Sequence, residues 1–372
     1  MDHIETLLAT AGCLVNQDAG AVTPPIHTST TFDRATDGTY ESGFVYSRNA
    51  NPTRTLFEET LARLEGAEGC AAFSSGMAAC NTVISALCPG GHLLLPEDVY
   101  HGVRHLAGTT WRQWGLETSV VDYSADWEQA LRPNTSLIWM ETPSNPLVRI
   151  TDVQAISARA RELGIPTVVD STWNTPLLLR PLDLGATIVV HSTTKYLAGH
   201  SDVLGGAALT RDAEVLEKIR HVQTSGGAVM DPFSAWLTLR GMRSLGPRMN
   251  AQCTSAARVA EWLANHREVE TVHYPGLATH PLHEVASRQM SRFGGMLSFE
   301  VGGGRPAAMA VAGRLKTFRR ATSLGGTESL VEHRASIEPE PPTSPEGLLR
   351  LSVGLEHIDD LLQDLETALT PF

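Results

Sequence analysis

The chain has 372 residues, of which 42% are hydrophobic and 19% charged, enough to bury a large core and long enough for two domains. Its formal net charge of -12 comes from scattered acids with no long run of either sign, so the surface repels phosphate backbones and no nucleic-acid partner is expected. The five cysteines are odd in number and contain no C-x-x-C pair, which points to buried free thiols rather than disulfides or metal; the start lacks a basic-then-apolar leader, no stretch approaches a membrane span, and a cytoplasmic location is expected.

Before about residue 48 the chain is rich in Thr, Pro, Gly and aromatics, shows no sustained period, and reads as an extended arm that packs on something else. Short apolar strands then alternate with helical patterns: Cys70 to Ser74, His92 to Leu95, Thr118 to Val121, Leu137 to Met140, Thr167 to Asp170, Thr187 to His191 and Leu204 to Leu209. That alternation predicts an α/β domain around a parallel, doubly wound sheet. Between two of these strands, Thr151 is placed to cap a helix with apolar positions Val153, Ile156, Ala160 and Leu163, closed by Gly164. After about residue 247 the pattern shifts to longer helices, a strand at Met296 to Val301, a Pro-rich loop from Glu338 to Pro345, and a closing helix with Ile358, Leu361, Leu362, Leu365 and Leu369 on one face. The expected organisation is an arm over residues 1–47, a large domain over 48–247 and a smaller α+β domain over 248–372.

The most informative residue is Lys195, which follows the apolar strand ending at His191 and the hydroxyl residues Ser192 and Thr194. Open α/β sheets place ligands at the carboxyl edge, where this amine falls. Asp170, 25 residues earlier, ends another short apolar strand. Lysine for a Schiff base and aspartate for a pyridinium nitrogen form the pair that pyridoxal 5'-phosphate (PLP) requires. Ser74, Ser75, Gly76 and Met77 follow a strand and open a helix, which is a natural phosphate cradle. Taken singly, the lysine would be a surface residue, the aspartate a helix cap and the glycine a turn; their combination points to a cofactor site. His101 and His105 have i, i+4 spacing, but with no H-E-x-x-H or cysteine set no metal site is expected.

With these residues in view, the chain resembles the Cys/Met-metabolism family of PLP-dependent enzymes, which holds the cystathionine γ-synthases, γ-lyases and β-lyases, methionine γ-lyase and the homoserine-ester sulfhydrylases. The motifs that carry the resemblance are Tyr46-Ser47-Arg48 with Asn51-Pro52-Thr53-Arg54, Ser74 to Met77, Glu141 to Pro146, Ser192 to Tyr196, Gly199 to Asp202, Ser323 to Gly326 with Glu328-Ser329-Leu330, and Arg350 to Glu356. It implies the type I fold of PLP-dependent transferases, with a mostly parallel seven-stranded sheet, an N-terminal arm and a smaller α+β C-terminal domain. Lys195 matches the Schiff-base lysine and Asp170 the partner of the ring nitrogen. Ser75, Gly76, Met77, Ser192 and Thr194 match the phosphate-binding positions, and Tyr100 matches the tyrosine that stacks on the ring and exchanges protons. Asn145 matches a residue near the phenolic oxygen, Arg350 the arginine that grips the substrate α-carboxylate, and Ser323 a substrate-binding position. Tyr46 and Arg48 match residues that reach the cofactor phosphate of a neighbouring subunit, so the resemblance implies a homodimeric active-site unit within a homotetramer.

The resemblance implies γ-elimination or γ-replacement on cystathionine or an O-acylhomoserine, as in a γ-lyase or γ-synthase. It leaves open a cystathionine or cysteine-conjugate β-lyase, a methionine γ-lyase and an O-acylhomoserine sulfhydrylase. Several positions depart from the pattern: Gly102 stands where methionine γ-lyases often carry cysteine, His101 where glycine is usual, Thr322 where cystathionine γ-lyases and many γ-synthases carry glutamate, and Ser171 and Trp173 vary the run after Asp170. The usual Thr-His stretch after Ala335 is replaced by Ser336 to Pro342, which offers Glu338 or Glu340 as a substitute carboxylate or else forms a solvated loop.

Overall fold

A computed structural model describes residues 3–13, 20–338 and 342–370. Its seven-stranded sheet contains β1 (Gly69–Phe73), β2 (His92–Pro96), β3 (Glu117–Val121), β4 (Thr135–Glu141), β5 (Thr167–Asp170), β6 (Ile188–His191) and β7 (Gly206–Thr210), in the order β1-β7-β6-β5-β4-β2-β3. Strands β2 to β6 pair in parallel, while β7 runs antiparallel to both neighbours, with Leu209 opposite Val189 and Cys70. The sheet is therefore mostly parallel. Alternate residues of each strand enter opposite cores: Leu93, Leu95, Leu137 and Trp139 on one face, Leu94, Ile138 and Met140 on the other. Helices cover both faces, which is why these strands read as continuous apolar runs rather than alternating ones.

The helices that position the site have local causes. In α2 (Pro52–Glu65), Asn51 accepts from the N–H of Thr53 and Arg54, proline takes the first position, and Gly66 ends the helix at φ 66°. The helix α3 (Gly76–Leu87) is capped by Ser75, and α4 (His101–Leu106) follows Tyr100. For α5 (Val153–Glu162) the expected cap is displaced by one residue: Asp152 Oδ1 accepts from Ala155 N at 3.1 Å. Thr151 is buried, and its hydroxyl is committed to Glu141 O at 3.4 Å, so it fastens the end of β4 instead. Gly164 closes this helix at φ 68° as expected, but Leu163 lies 38% exposed instead of on the buried face.

The N-terminal region departs from the expected extended arm. Residues Ile4–Ala9 form α1, and Leu8 and Ala11 enter the same core as Leu61 and Met242. Ile4, Leu7, Leu8 and Ala11 repeat at i, i+3, i+4 and i+7, a helical period too short to stand out from the surrounding sequence. Residues 20–51 carry no helix and are mostly exposed or half-buried.

A second sheet holds β8 (Val269–His273), β9 (Met296–Val301), β10 (Arg319–Arg320), β11 (Leu330–His333) and β12 (Leu348–Ser352), ordered β10-β11-β12-β9-β8. The closing helix Ile358–Leu369 buries Leu361, Leu365 and Leu369 against it, as the periodicity predicts. The helix Leu245–Ala264 links the two cores: Leu245, Met249 and Cys253 pack in the first, and Ala256, Val259, Ala260 and Leu263 in the second. Of the five thiols, Cys70, Cys80, Cys88 and Cys253 are buried and Cys13 is half-buried; none is paired with another. Among the described residues, no helix is long and apolar enough to cross a membrane.

Candidate active site

The carboxyl ends of β4, β5 and β6 and the N-terminus of α3 surround a cavity of about 250 Å³. Its wall brings together Ser75, Gly76, Met77, Tyr100, Asn145, Asp170, Ser192, Thr194 and Lys195, all expected from the sequence. Cys80, Trp173, Leu204 and Leu324 also line it.

At one end, Ser75 Oγ caps α3 by accepting from Ala78 N at 3.1 Å. The first N–H groups of a helix have no partner within it, and they favour an anion. Gly76 lets the backbone close on Ser192, since a Cβ there would stand 2.7 Å from Ser192 Cβ. Thr194 Oγ1 accepts from Gly205 N at 3.0 Å and lies 3.2 Å from Gly205 O, which ties the loop after β6 to the start of β7. Helix terminus, hydroxyls and close backbone form a cradle whose chemistry fits a phosphate dianion.

Deeper in the cavity, Asp170 Oδ1 accepts from Thr172 N at 3.0 Å and from Thr172 Oγ1 at 2.5 Å. The same Thr172 hydroxyl accepts from Ser192 N at 2.9 Å. One side chain thus fixes both the buried acid and the first residue after β6. Burial pushes the Asp170 carboxyl above its usual range, and the bonds from Thr172 oppose that shift. A protonated ring nitrogen is the kind of partner that satisfies such an acid. Thr172 had no assigned role in the sequence reading, although its place two residues after Asp170 is the spacing of a local side-chain-to-backbone turn.

At the other end, Lys195 Nζ donates to Ser323 Oγ at 2.8 Å. Burial, and then the charge of Arg350, pull the ammonium down from 10.5 to about 8. Ser323 sits at φ 79°, a left-handed conformation that serine tolerates poorly. Its carbonyl accepts from Arg350 Nη2 at 2.9 Å, so this one residue contacts both cations. Arg350, buried in β12, also donates from Nη1 to Asn145 Oδ1 at 2.9 Å and pairs through Nη2 with Glu332 Oε2 at 2.6 Å. Glu332 was missed from the sequence, because a single glutamate in an apolar strand gives no sign of what it faces. Tyr100 is held by its backbone N–H, which donates to Glu141 Oε2 at 2.8 Å. Burial raises the Tyr100 phenol, and the His101 ring meets it edge-on at 4.7 Å.

Two expected residues lie elsewhere. Tyr46 and Arg48 are exposed; Arg48 Nη1 donates to Thr224 O at 3.1 Å and its guanidinium lies 5.8 Å from the Tyr46 ring centre. Neither lines the cavity of its own chain. Thr322 is exposed beside Ser323. Glu338 does not replace a missing acid: its Oε2 accepts from Thr343 N at 2.9 Å and Ser344 N at 3.0 Å, and Oε1 from Ser344 Oγ at 2.5 Å. These bonds clasp the loop and hold the carboxyl below its usual value despite partial burial. Glu340 lies outside the described residues. Gly102 faces Tyr100, and a Cβ there would approach Tyr100 Cε1 to 2.7 Å and Met77 Sδ to 2.9 Å, so this position has no room for a cysteine as the site stands.

A profile of the family described as Cys/Met metabolism PLP-dependent enzyme matches residues 5–370. The chain belongs to that family. It is therefore a PLP-dependent enzyme of the trans-sulfuration type with a type I fold. It is 44% identical to the cystathionine gamma-synthase of Mycobacterium tuberculosis, over 96% of this chain and 95% of that protein. It is 41% identical to the cystathionine beta-lyase of Coxiella burnetii, over 99% of this chain and 98% of that protein. A solved cystathionine gamma synthase from Xanthomonas oryzae pv. oryzae, in complex with cystathionine, is 41% identical, with TM-score 0.95 over 99% of this chain and 98% of that one.

Proposed function

We propose that this family member holds PLP in the cavity around Lys195 and acts at the γ-carbon of cystathionine or an O-acylhomoserine, by elimination or replacement. When bound, the cofactor supplies an aldehyde for an amine and a ring that draws electrons from the substrate. The observation that carries the reading is the convergence of a near-neutral amine and a buried acid at the edge of the large sheet with a buried guanidinium from β12 of the second sheet. Asp170, fixed by Thr172, holds a proton at the ring nitrogen. Arg350, aimed by Asn145 and Glu332, grips the α-carboxylate with a planar fork. Lys195 Nζ, with its proton affinity set near neutrality, takes and returns protons at Cα and then Cβ; the second removal permits a γ-substituent to leave. Tyr100 lies over the cavity as ring platform and proton partner.

Similarity to a γ-synthase at 44% identity supports γ-chemistry. A β-lyase is the second reading, supported by the 41% identity to a β-lyase and by the fact that β-elimination needs only the first proton transfer. We place Tyr46 and Arg48 at the phosphate end of a neighbouring subunit's cavity, in keeping with their exposure and with their absence from the lining of their own. The active unit is then a homodimer. Product analysis tests the chemistry: the holoenzyme should convert O-succinylhomoserine and cysteine to cystathionine, or L-cystathionine to 2-oxobutyrate and cysteine. Pyruvate and homocysteine from L-cystathionine, with no reaction of the ester, would establish the β-lyase instead.

A further inference from the structure

A second cavity, of about 280 Å³, adjoins the first at Asn145 and is lined by His101, Arg104, His105, Arg334 and Glu338 among others. Arg334 begins the 3-10 turn Arg334–Ser336 directly after β11, with its side chain only 4% exposed. Its Nη1 lies 3.1 Å from Glu332 Oε2, the oxygen that also pairs with Arg350 Nη2 at 2.6 Å. One carboxylate thus serves two guanidinium groups. Glu338 balances the second by charge but not by a hydrogen bond: its Oε1 stands 3.9 Å from Arg334 Nε, while its oxygens accept from Thr343 and Ser344. Arg334 Nε is buried without a hydrogen bond. An orphaned, charged donor in a buried place is costly, and an incoming anion relieves it.

His101 completes the pair. Its Nδ1 is 3.3 Å from Arg334 Nη2, and burial together with the Arg334 charge holds the ring below its usual pKa. The ring is then neutral, with Nδ1 as acceptor and Nε2 as a remaining donor. Resting on the proposed function, which gives Arg350 to the α-carboxylate, we infer that Arg334 with His101 is a second carboxylate anchor that selects substrates bearing an acidic group on the side chain. Because both arginines share one glutamate oxygen, a single small amino acid with two carboxylates can touch both. That acid could arrive on a dicarboxylic acyl ester as leaving group or on the distal half of a thioether. A neutral acyl or alkyl group offers Arg334 nothing.

Calorimetric binding to the holoenzyme of L-2-aminoadipate and L-norleucine, which lack a γ-leaving group, tests the anchor. The acid analogue should bind about tenfold more tightly, and the ratio should fall to near one in Arg334→Gln and recover in part in Arg334→Lys. Norleucine affinity monitors any disturbance of Arg350 through Glu332, and a thermal melt monitors folding. A ratio unchanged by Arg334→Gln, or near one in the native enzyme, overturns the anchor while leaving the proposed function standing; binding of neither analogue overturns both. Turnover separates the sources. If the variant loses kcat/KM on O-succinylhomoserine but not O-acetylhomoserine, the acid is on the leaving group, and if on L-cystathionine but not L-methionine, it is on the thioether. Equal losses on charged and neutral members of both pairs also overturn the anchor.

Discussion

Lys195 gives the sharpest quantitative expectation. Its amine falls from 10.5 to about 8, chiefly because burial disfavours the ammonium and secondarily because Arg350 repels it. That change corresponds to roughly 3 kcal/mol against the charged form, so about a quarter of the amine is neutral at pH 7.5, against ~0.1% for an ordinary lysine. The apo-protein should therefore react at Lys195 with a carbonyl or cyanate reagent about 200-fold faster than a surface lysine at that pH, on the neutral-fraction difference alone. Its rate should titrate with a midpoint near 8. Replacing Arg350 by Gln removes the repelling charge and should move the midpoint up by about half a unit to one unit, with burial keeping it well below 10.5. Stability carries the same signature. A base whose folded pKa is depressed destabilises the fold as pH falls from 10.5 through about 8, and the penalty is constant below that. Lys195→Met should accordingly stabilise the apo-protein to denaturant at pH 7, by up to about 3 kcal/mol less the lost Ser323 bond, and the gain should vanish above pH 10.5. Site-resolved mass spectrometry across pH measures the first quantity. A midpoint at 10 or above would refute the electrostatic account of the site.

Thr172→Val removes the hydroxyl that ties Asp170 to the Ser192 backbone, and should weaken PLP binding about tenfold, read by fluorescence titration of the apo-protein; an unchanged affinity would show that Asp170 needs no such support. Ser323→Gly should relieve the left-handed backbone and raise apo-protein stability by about 1 kcal/mol, whereas Ser323→Ala should not, although both lose the Lys195 bond. Gly102→Ala should displace Tyr100 or Met77 and lower kcat about tenfold or more with little change in folding, checked by steady-state kinetics beside a thermal melt. Refolding a mixture of Lys195→Ala and Arg48→Ala chains should restore activity above either parent, to roughly a quarter of native in random dimers, if cavities are completed across subunits; no gain would confine Arg48 to its own chain.

Much of the large sheet was legible because parallel strands buried on both faces write themselves as apolar runs, and the turn residue Gly164 marks where a helix stops. The first turns of chain were not, since α1 spans only Ile4–Ala9 and its period cannot be told from chance. Thr151 looked like a cap because it has the right hydroxyl in the right place; Asp152 takes that role once the strand β4 claims Thr151. In the site, the motif residues from Ser75 to Lys195 line one cavity and Tyr46 and Arg48 do not, while Thr172 and Glu332 escaped, because their role is to hold another functional side chain and only the folded geometry reveals the partner. Glu338 shows the converse: a carboxylate in a suggestive segment that its own loop consumes.

The account turns on one amine at the edge of one sheet. Borohydride reduction of the purified yellow holoenzyme, followed by peptide mapping, tests it most directly. The account predicts a phosphopyridoxyl group on the peptide bearing Lys195, with loss of the label and of the chromophore in Lys195→Ala; a label on another lysine, or none on a protein saturated with PLP, would contradict it.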